Sequence, residues 1–287
     1  MVFRTLPPGP LLSPYIQHYQ YTSILGPKNV VCNQMNSLRP LPNGNFELFF
    51  HLNDSIVSVS SEKYKMEQMS CFFVGYHDLF FKSTIVTHPS STSFTVVFKP
   101  LGFFTLFGYK ESEITNNISP GELIFKKLKF IWEALNDLEN DDFYQMREVF
   151  EQGTIKNNSM WVKRTSFLQE IIFFIKYKQG MVSIKEICNN FNVNRRKVER
   201  SFRDLLGLSA FEYIRIIRAN NLLSSITDGS PLLQTVLNYG YYDQSHFIKD
   251  FKKIIGLSPK AYLKNAPSDL LNKSYTNRIF LPNLTEI

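Results

Sequence analysis

Long apolar runs are missing from this chain. No stretch of about 18 or more uninterrupted apolar residues occurs, so no membrane-spanning helix is predicted. The opening MVFRTLPPGP lacks the basic-then-apolar layout of a secretory signal, and the expected location is the cytoplasm. Cysteine is scarce as well. Cys32, Cys71 and Cys188 are odd in number, scattered and never paired as CxxC. They read as small buried apolar residues rather than a disulfide frame or a zinc site. His18, His51, His77 and His88 are far apart, with no HxH and no His-x-x-x-Glu spacing, so the ligand set of a metal-holding β-barrel is lacking. GxSxG, P-loop and GxGxxG patterns are absent too. No catalytic residue, metal or cofactor is expected.

What is present is apolar bulk and unevenly placed charge. The 287 residues are 44% hydrophobic, enough for two domains with cores of their own. Residues 1–159 carry 13 basic and 15 acidic side chains, whereas residues 160–265 carry 17 and 8. The remaining tail carries 2 of each, so the whole excess of +7 sits in the last third before it. Such a patch is the electrostatic footprint of a domain that meets phosphate, although charge alone also fits a solvated lysine-rich surface.

Up to about residue 115 the pattern favours strands. Phe46–His51, Ser55–Ser60 and Ser93–Phe98 are short, rich in β-branched or aromatic residues, and bounded by turn formers such as Pro42-Asn43-Gly44-Asn45 and Pro100-Leu101-Gly102. From about Ser119 to Asn157, Leu123, Phe125, Leu128, Ile131, Trp132, Leu135 and Leu138 recur at helical spacing, with breaks expected near 140–142 and 153–158. Phe72, Phe73, Phe80, Phe81, Phe98, Phe103 and Phe104 are expected to fill a core, or some of them to line an apolar pocket.

From Ser166 the chain reads as helical. Ser183-Ile184-Lys185-Glu186 and Ser209-Ala210-Phe211-Glu212 are capping boxes. Between them, Asn192 suits the left-handed backbone of a tight turn, and a helix is predicted from about Arg195 to Leu206, stopped by Gly207. A long helix follows from Ala210 to about Ser225. The decisive feature is an internal repeat. FRDLLGLSAFEYIR (202–215) lines up with FKKIIGLSPKAYLK (251–264) at a constant offset of 49. Each copy follows a short helix, a turn at Asn192 or Gly240, and a basic helix, the second turn being one residue longer. This is helix-turn-helix order, twice. Asp243 is expected to cap the second basic helix.

With these residues in view, GYYDQSHFIKDFKKIIGLSPKAYL (240–263) and SIKEICNNFNVNRRKVERSFRDLLGLSAFEYIRIIRANNLL (183–223) resemble the DNA-binding domain of the AraC/XylS family of bacterial transcription regulators. PNGNFELFFHLND and VVFKPLGFFTLFG more weakly resemble the β-rich domain that precedes it in some members. Cys188 and Val236 stand where alanine is usual, and Asn192 where glycine is.

The resemblance implies an α+β chain. Residues 1–115 form a β-rich sensor or dimerisation domain, a small barrel or sandwich, and 116–165 a helical connector. Residues 166–265 form an all-α DNA-binding domain with two helix-turn-helix units joined by a long helix, and 266–287 a tail. It further implies that double-stranded DNA is the partner, with each recognition helix in one of two successive major grooves. Arg196, Glu199 and Arg200 form the reading face of the first unit, and Gln244, Ser245 and Lys249 that of the second. Arg195, Lys197, Arg203, Lys252 and Lys253 are phosphate clamps. A small-molecule effector at the N-terminal domain, a homodimer and contact with RNA polymerase are further partners that the resemblance admits. A constitutive DNA binder with a dimerisation-only N-terminal domain, or a β-domain enzyme fused to a DNA anchor, are the alternatives.

Overall fold

The computed structural model describes residues 2–24, 36–39, 44–52, 57–60, 65–67, 71–77, 84–87, 91–121, 126, 128–138, 142–155, 166–227, 236–261 and 281–282. The described residues up to Pro120 form ten strands: β1 (Val2–Leu6), β2 (Ile16–Ile24), β3 (Asn36–Arg39), β4 (Phe46–Leu52), β5 (Val57–Ser60), β6 (Lys65–Glu67), β7 (Cys71–Val74), β8 (Thr84–Thr87), β9 (Ser91–Phe98) and β10 (Ile118–Pro120). With β11 (Leu281–Pro282) they make two antiparallel sheets, ordered β1-β2-β9-β4-β7-β10 and β11-β3-β8-β5-β6. The expected strands 46–51 and 93–98 are present. Of the third, 57–60 is a strand, and 55–56 lies outside the described residues, as do Cys32, Phe80, Phe81 and His88.

Strand pairing gives the larger sheet two unlike faces. Tyr19, Val96, Leu48 and Phe73 stand in one row, and Tyr21, Phe94, Phe50 and Cys71 in the next, all buried. This face packs on two helices, α2 (Leu128–Asn136) and α3 (Phe143–Ile155), which present Leu128, Ile131, Leu135, Phe143, Met146 and Phe150 at helical spacing. The opposite face is also buried and mixes polar with apolar side chains. It carries Gln20 and Thr95 in one row with Phe49 and Phe72, and Glu47 and His51 in the rows on either side.

Two elements differ from the sequence reading. Residues 118–120, read as connector, add β10 to the sheet edge beside β7. Three residues are too few to show a period of two. Gly153, read as a break, lies inside α3, where a Cβ would come 2.9 Å from Ile131. The glycine is there for close helix packing. A short helix α1 (Gly102–Phe107) and one 3₁₀ turn (Glu111–Glu113) complete this half, with Phe103 buried against Phe46, Phe73 and Phe98. Phe104 is half-buried.

The C-terminal half is helical: α4 (Ser166–Tyr177), α5 (Ile184–Asn190), α6 (Arg195–Leu206), α7 (Ala210–Thr227) and α8 (Gln244–Ile255). Leu168, Ile171, Ile172 and Ile175 from α4, Ile187 from α5, Val198, Phe202 and Leu206 from α6, and Tyr213, Ile214 and Ile217 from α7 form one continuous core with the N-terminal half. Among the described residues no helix is long and apolar enough to cross a membrane.

Candidate nucleic-acid interface

Both basic helices are built the same way, and the repeat holds residue by residue. α6 and α8 each have 12 residues and begin and end at positions 49 apart. Asn194 caps the first, its side chain accepting from the Lys197 amide at 2.8 Å. Asp243 caps the second, accepting from the His246 amide at 2.7 Å. Each cap satisfies an amide that the helix cannot. Gly207 and Gly256 end the helices in the left-handed conformation.

The preceding turns are equally alike. Asn192 has φ +48° and Gly240 φ +73°. The Val193 amide donates to Cys188 at 3.0 Å, and that of Tyr241 to Val236 at 3.3 Å. One residue, Val193, separates Asn192 from the first cap, whereas Tyr241 and Tyr242 separate Gly240 from the second. Ahead of α5, the Ser183 hydroxyl accepts from Glu186 at 3.1 Å. Ahead of α7 the box is complete: Ser209 accepts from the Glu212 amide at 3.1 Å, and Glu212 accepts from the Ser209 amide at 2.6 Å.

Burial sorts the expected contact residues. Val198, Phe202 and Leu206 point α6 inward, and Phe247, Phe251 and Ile254 do so for α8. On the other side Arg195, Arg196, Lys197, Arg200 and Arg203 are exposed on α6, and Gln244, Ser245, Lys249, Lys252 and Lys253 on α8. Three residues of the first unit have partners within the protein. Lys197 holds its ammonium 4.4 Å from the centre of the Phe167 ring. Glu199 is half-buried and accepts from the Ala210 amide at 3.2 Å, at the start of α7. Arg203 lies 3.3 Å from the Glu212 carboxylate. Arg196 and Arg200 stand one turn apart on the solvent side, outside any ion pair among the described residues. His246 is exposed and sets its ring against Tyr241 at 5.4 Å, while Tyr242 is 89% exposed.

Two sets of contacts escape sequence reading, because their partners are distant along the chain. The first joins the halves of the molecule. The Ser112 hydroxyl donates to the Asp204 carbonyl at 2.9 Å, and the Thr115 hydroxyl donates to that of Leu206. A segment of the N-terminal half thus caps the C-terminal end of α6. Beneath it, Glu111 is buried and accepts from the Tyr76 hydroxyl at 2.8 Å and the Leu101 amide at 3.2 Å. Burial outweighs these donors and pushes its carboxyl up to about 7. The Tyr76 ring meets that of Tyr213 from α7 edge-on at 6.3 Å. The second set pins α7 between the two helix-turn-helix units. Arg218 donates to the Gly180 carbonyl at 2.9 Å, and Arg215 forms an ion pair with Asp250 of α8.

Among the described residues no group of three or more histidine, cysteine or acidic side chains is placed to hold a metal.

Two family models match the chain: a helix-turn-helix domain over residues 187–265, and a domain of unknown function (DUF6597) over residues 4–120. Among curated proteins, the chain is 30% identical over 113 residues to the putative HTH-type transcriptional regulator YkgA of Escherichia coli, covering 38% of this chain and 46% of that protein. It is 29% identical over 121 residues to the uncharacterized HTH-type transcriptional regulator YisR of Bacillus subtilis, covering 41% and 39%. It is 27% identical over 101 residues to the HTH-type transcriptional activator AarP of Providencia stuartii, covering 34% and 75%. The chain thus spans less than half the length of the first two. Among solved structures it is similar to ToxT from Vibrio cholerae, with a TM-score of 0.48 and 14% identity over 86% of this chain and 98% of that one.

Proposed function

We propose that the chain is a transcription regulator of the AraC/XylS type and that it binds specific double-stranded DNA through two readers. The observation that carries this reading is the paired geometry of α6 and α8: equal length, equal caps, equal ends, and a basic or polar outer face on each. Each helix enters a major groove, and α7 holds the two about 34 Å apart, one turn of duplex, on one face of the DNA. Arg196 and Arg200 reach base edges in the first groove, where an arginine can grip guanine O6 and N7 together. Gln244, Ser245 and Lys249 do so in the second, the amide of glutamine matching adenine. Arg195, Lys252 and Lys253 grip phosphate, which fixes register without reading sequence. Lys197, Glu199 and Arg203 have partners in the protein, so their part is to brace the first reader.

The N-terminal half acts as the controlling domain. Ser112 and Thr115, in and just after the 3₁₀ turn, hold the end of α6, so a shift of that turn is passed to the first reader without a linker between.

Selection of bound duplexes from a random pool by the full chain tests the reading. A recovered sequence with two conserved blocks one helical turn apart supports it. Retention of the pool without enrichment would make this a non-specific binder.

A further inference from the structure

The two helix-turn-helix units repeat one pattern, and two of the places where they depart from each other meet at the Asp250 carboxylate. Asp250, on the half-buried flank of α8, has Ser201 as its counterpart 49 residues earlier, so the helix-turn-helix itself does not require an acid there. The extra residue of the second turn is the other departure. It sets Tyr241, buried beside Phe247, where its hydroxyl donates to Asp250 at 3.1 Å. The remaining carboxylate oxygen of Asp250 takes the ion pair from Arg215 of α7. Only 14% and 16% of the two side chains is exposed, unlike an ordinary surface pair. One turn along α7, Arg218 lies over the Tyr241 ring at 6.0 Å and donates to Gly180, at the end of α4 in the first unit. Tyr239, just before the Gly240 turn, bridges Ser225 of α7 at 2.9 Å and Gln179 at 3.3 Å.

From these contacts we infer that Arg215 and Asp250, with Tyr241, are positioning residues that fix the distance and rotational phase between the two readers, and so set which half-site spacing the protein accepts. The inference rests on the two-reader function proposed above. Asp250 lies off the outer face that carries Ser245 and Lys249, so its part is to orient that face and not to touch a base. Joined readers gain over single ones because the second binding event is intramolecular, and the gain disappears when geometry forbids both at once. A rigid joint makes that gain sharply dependent on spacing. A loose one makes it small and flat.

The test compares the full chain with Arg215→Met, Asp250→Asn and the exchange Arg215→Asp/Asp250→Arg. Each is titrated on duplexes carrying one selected half-site, both at the selected spacing, or both with about 5 base pairs inserted, half a helical turn. For the unaltered chain the full site should bind about 100-fold tighter than one half-site, and the insertion should abolish that advantage. Arg215→Met and Asp250→Asn should keep single half-site affinity within about twofold but lose about tenfold of the full-site advantage, with a flatter response to the insertion. The exchange should restore part of both. Thermal melting of each variant confirms that a folded protein is being titrated. An unchanged full-site advantage and spacing response in Arg215→Met would overturn the inference. So would equal losses on single and paired half-sites with no recovery in the exchange. If the unaltered chain itself gains nothing from the second half-site, the two-reader function is overturned, and this joint with it.

Discussion

Arg196 and Arg200 lie four residues apart on the solvent side of α6, so both side chains leave the helix in the same direction. Reading and gripping should separate cleanly between Arg200 and Lys253. Arg200→Ala should cost about 1–3 kcal/mol on the selected site and relax preference at one position. Lys253→Ala should weaken binding to every sequence alike and lower the slope of log affinity against log salt by about one. Titration of the selected and a scrambled duplex across a salt series measures both. Equal losses on the two duplexes for Arg200→Ala would make that arginine a clamp. The exposed basic residues were legible from the sequence, because helical spacing alone turns Val198 and Phe202 inward and Arg196 and Arg200 outward. The engagements of Lys197, Glu199 and Arg203 were not. Their partners, Phe167, Ala210 and Glu212, are set by how α4, α6 and α7 pack, which no local pattern encodes.

At the level of the element, caps and turns decide where each reader begins and ends. Asp243→Ala should cost about 1 kcal/mol by leaving the first turn of α8 with one more unsatisfied amide, seen as a lower melting temperature. The glycines offer a sharper comparison. Gly207 and Gly240 both have positive φ, at +75° and +73°. A Cβ on Gly207 would lie 2.6 Å from the Thr115 hydroxyl, whereas nothing lies within 4 Å of one on Gly240. Gly240→Ala should therefore show only the backbone cost, on the order of 1 kcal/mol. Gly207→Ala should show that cost and also push the N-terminal half off the end of α6. Melting of the two variants in parallel checks this, and equal losses would mean that Thr115 yields without cost. The capping boxes, the Asn192 turn and the bounds of α6 could be read directly, because each is chemistry within a few residues. β10 and the helical Gly153 could not, since one exists through its partner strand and the other through Ile131.

For the whole molecule the sequence announced two halves by charge and by period, but not that they share a core. Tyr213, Ile216 and Ile217 of α7 lie against Gly44, and Ser112 and Thr115 against the end of α6. Glu111, buried under this junction, ties stability to pH. Its carboxyl is raised from 4.5 to about 7 in the folded chain, so the folded state holds the proton more tightly. Its contribution is fully present below about pH 4.5, falls as pH rises to about 7, and is level beyond. His77, lowered to about 4 by burial, acts oppositely as pH falls below 6.5. The difference in melting temperature between the natural chain and Glu111→Gln isolates the carboxyl. It should change steadily between pH 4.5 and 7 and hold constant above; a flat difference throughout would mean that Glu111 ionises as freely folded as unfolded.

The most direct test of the two-reader function is hydroxyl-radical footprinting of the full chain on a selected duplex. Two protected segments are expected on one face of the DNA, centred about 10 base pairs apart. Alanine at Arg196 and Arg200 should erase the first segment and leave the second, and alanine at Gln244 and Lys249 the reverse. A single protected segment, or two on opposite faces, would contradict it.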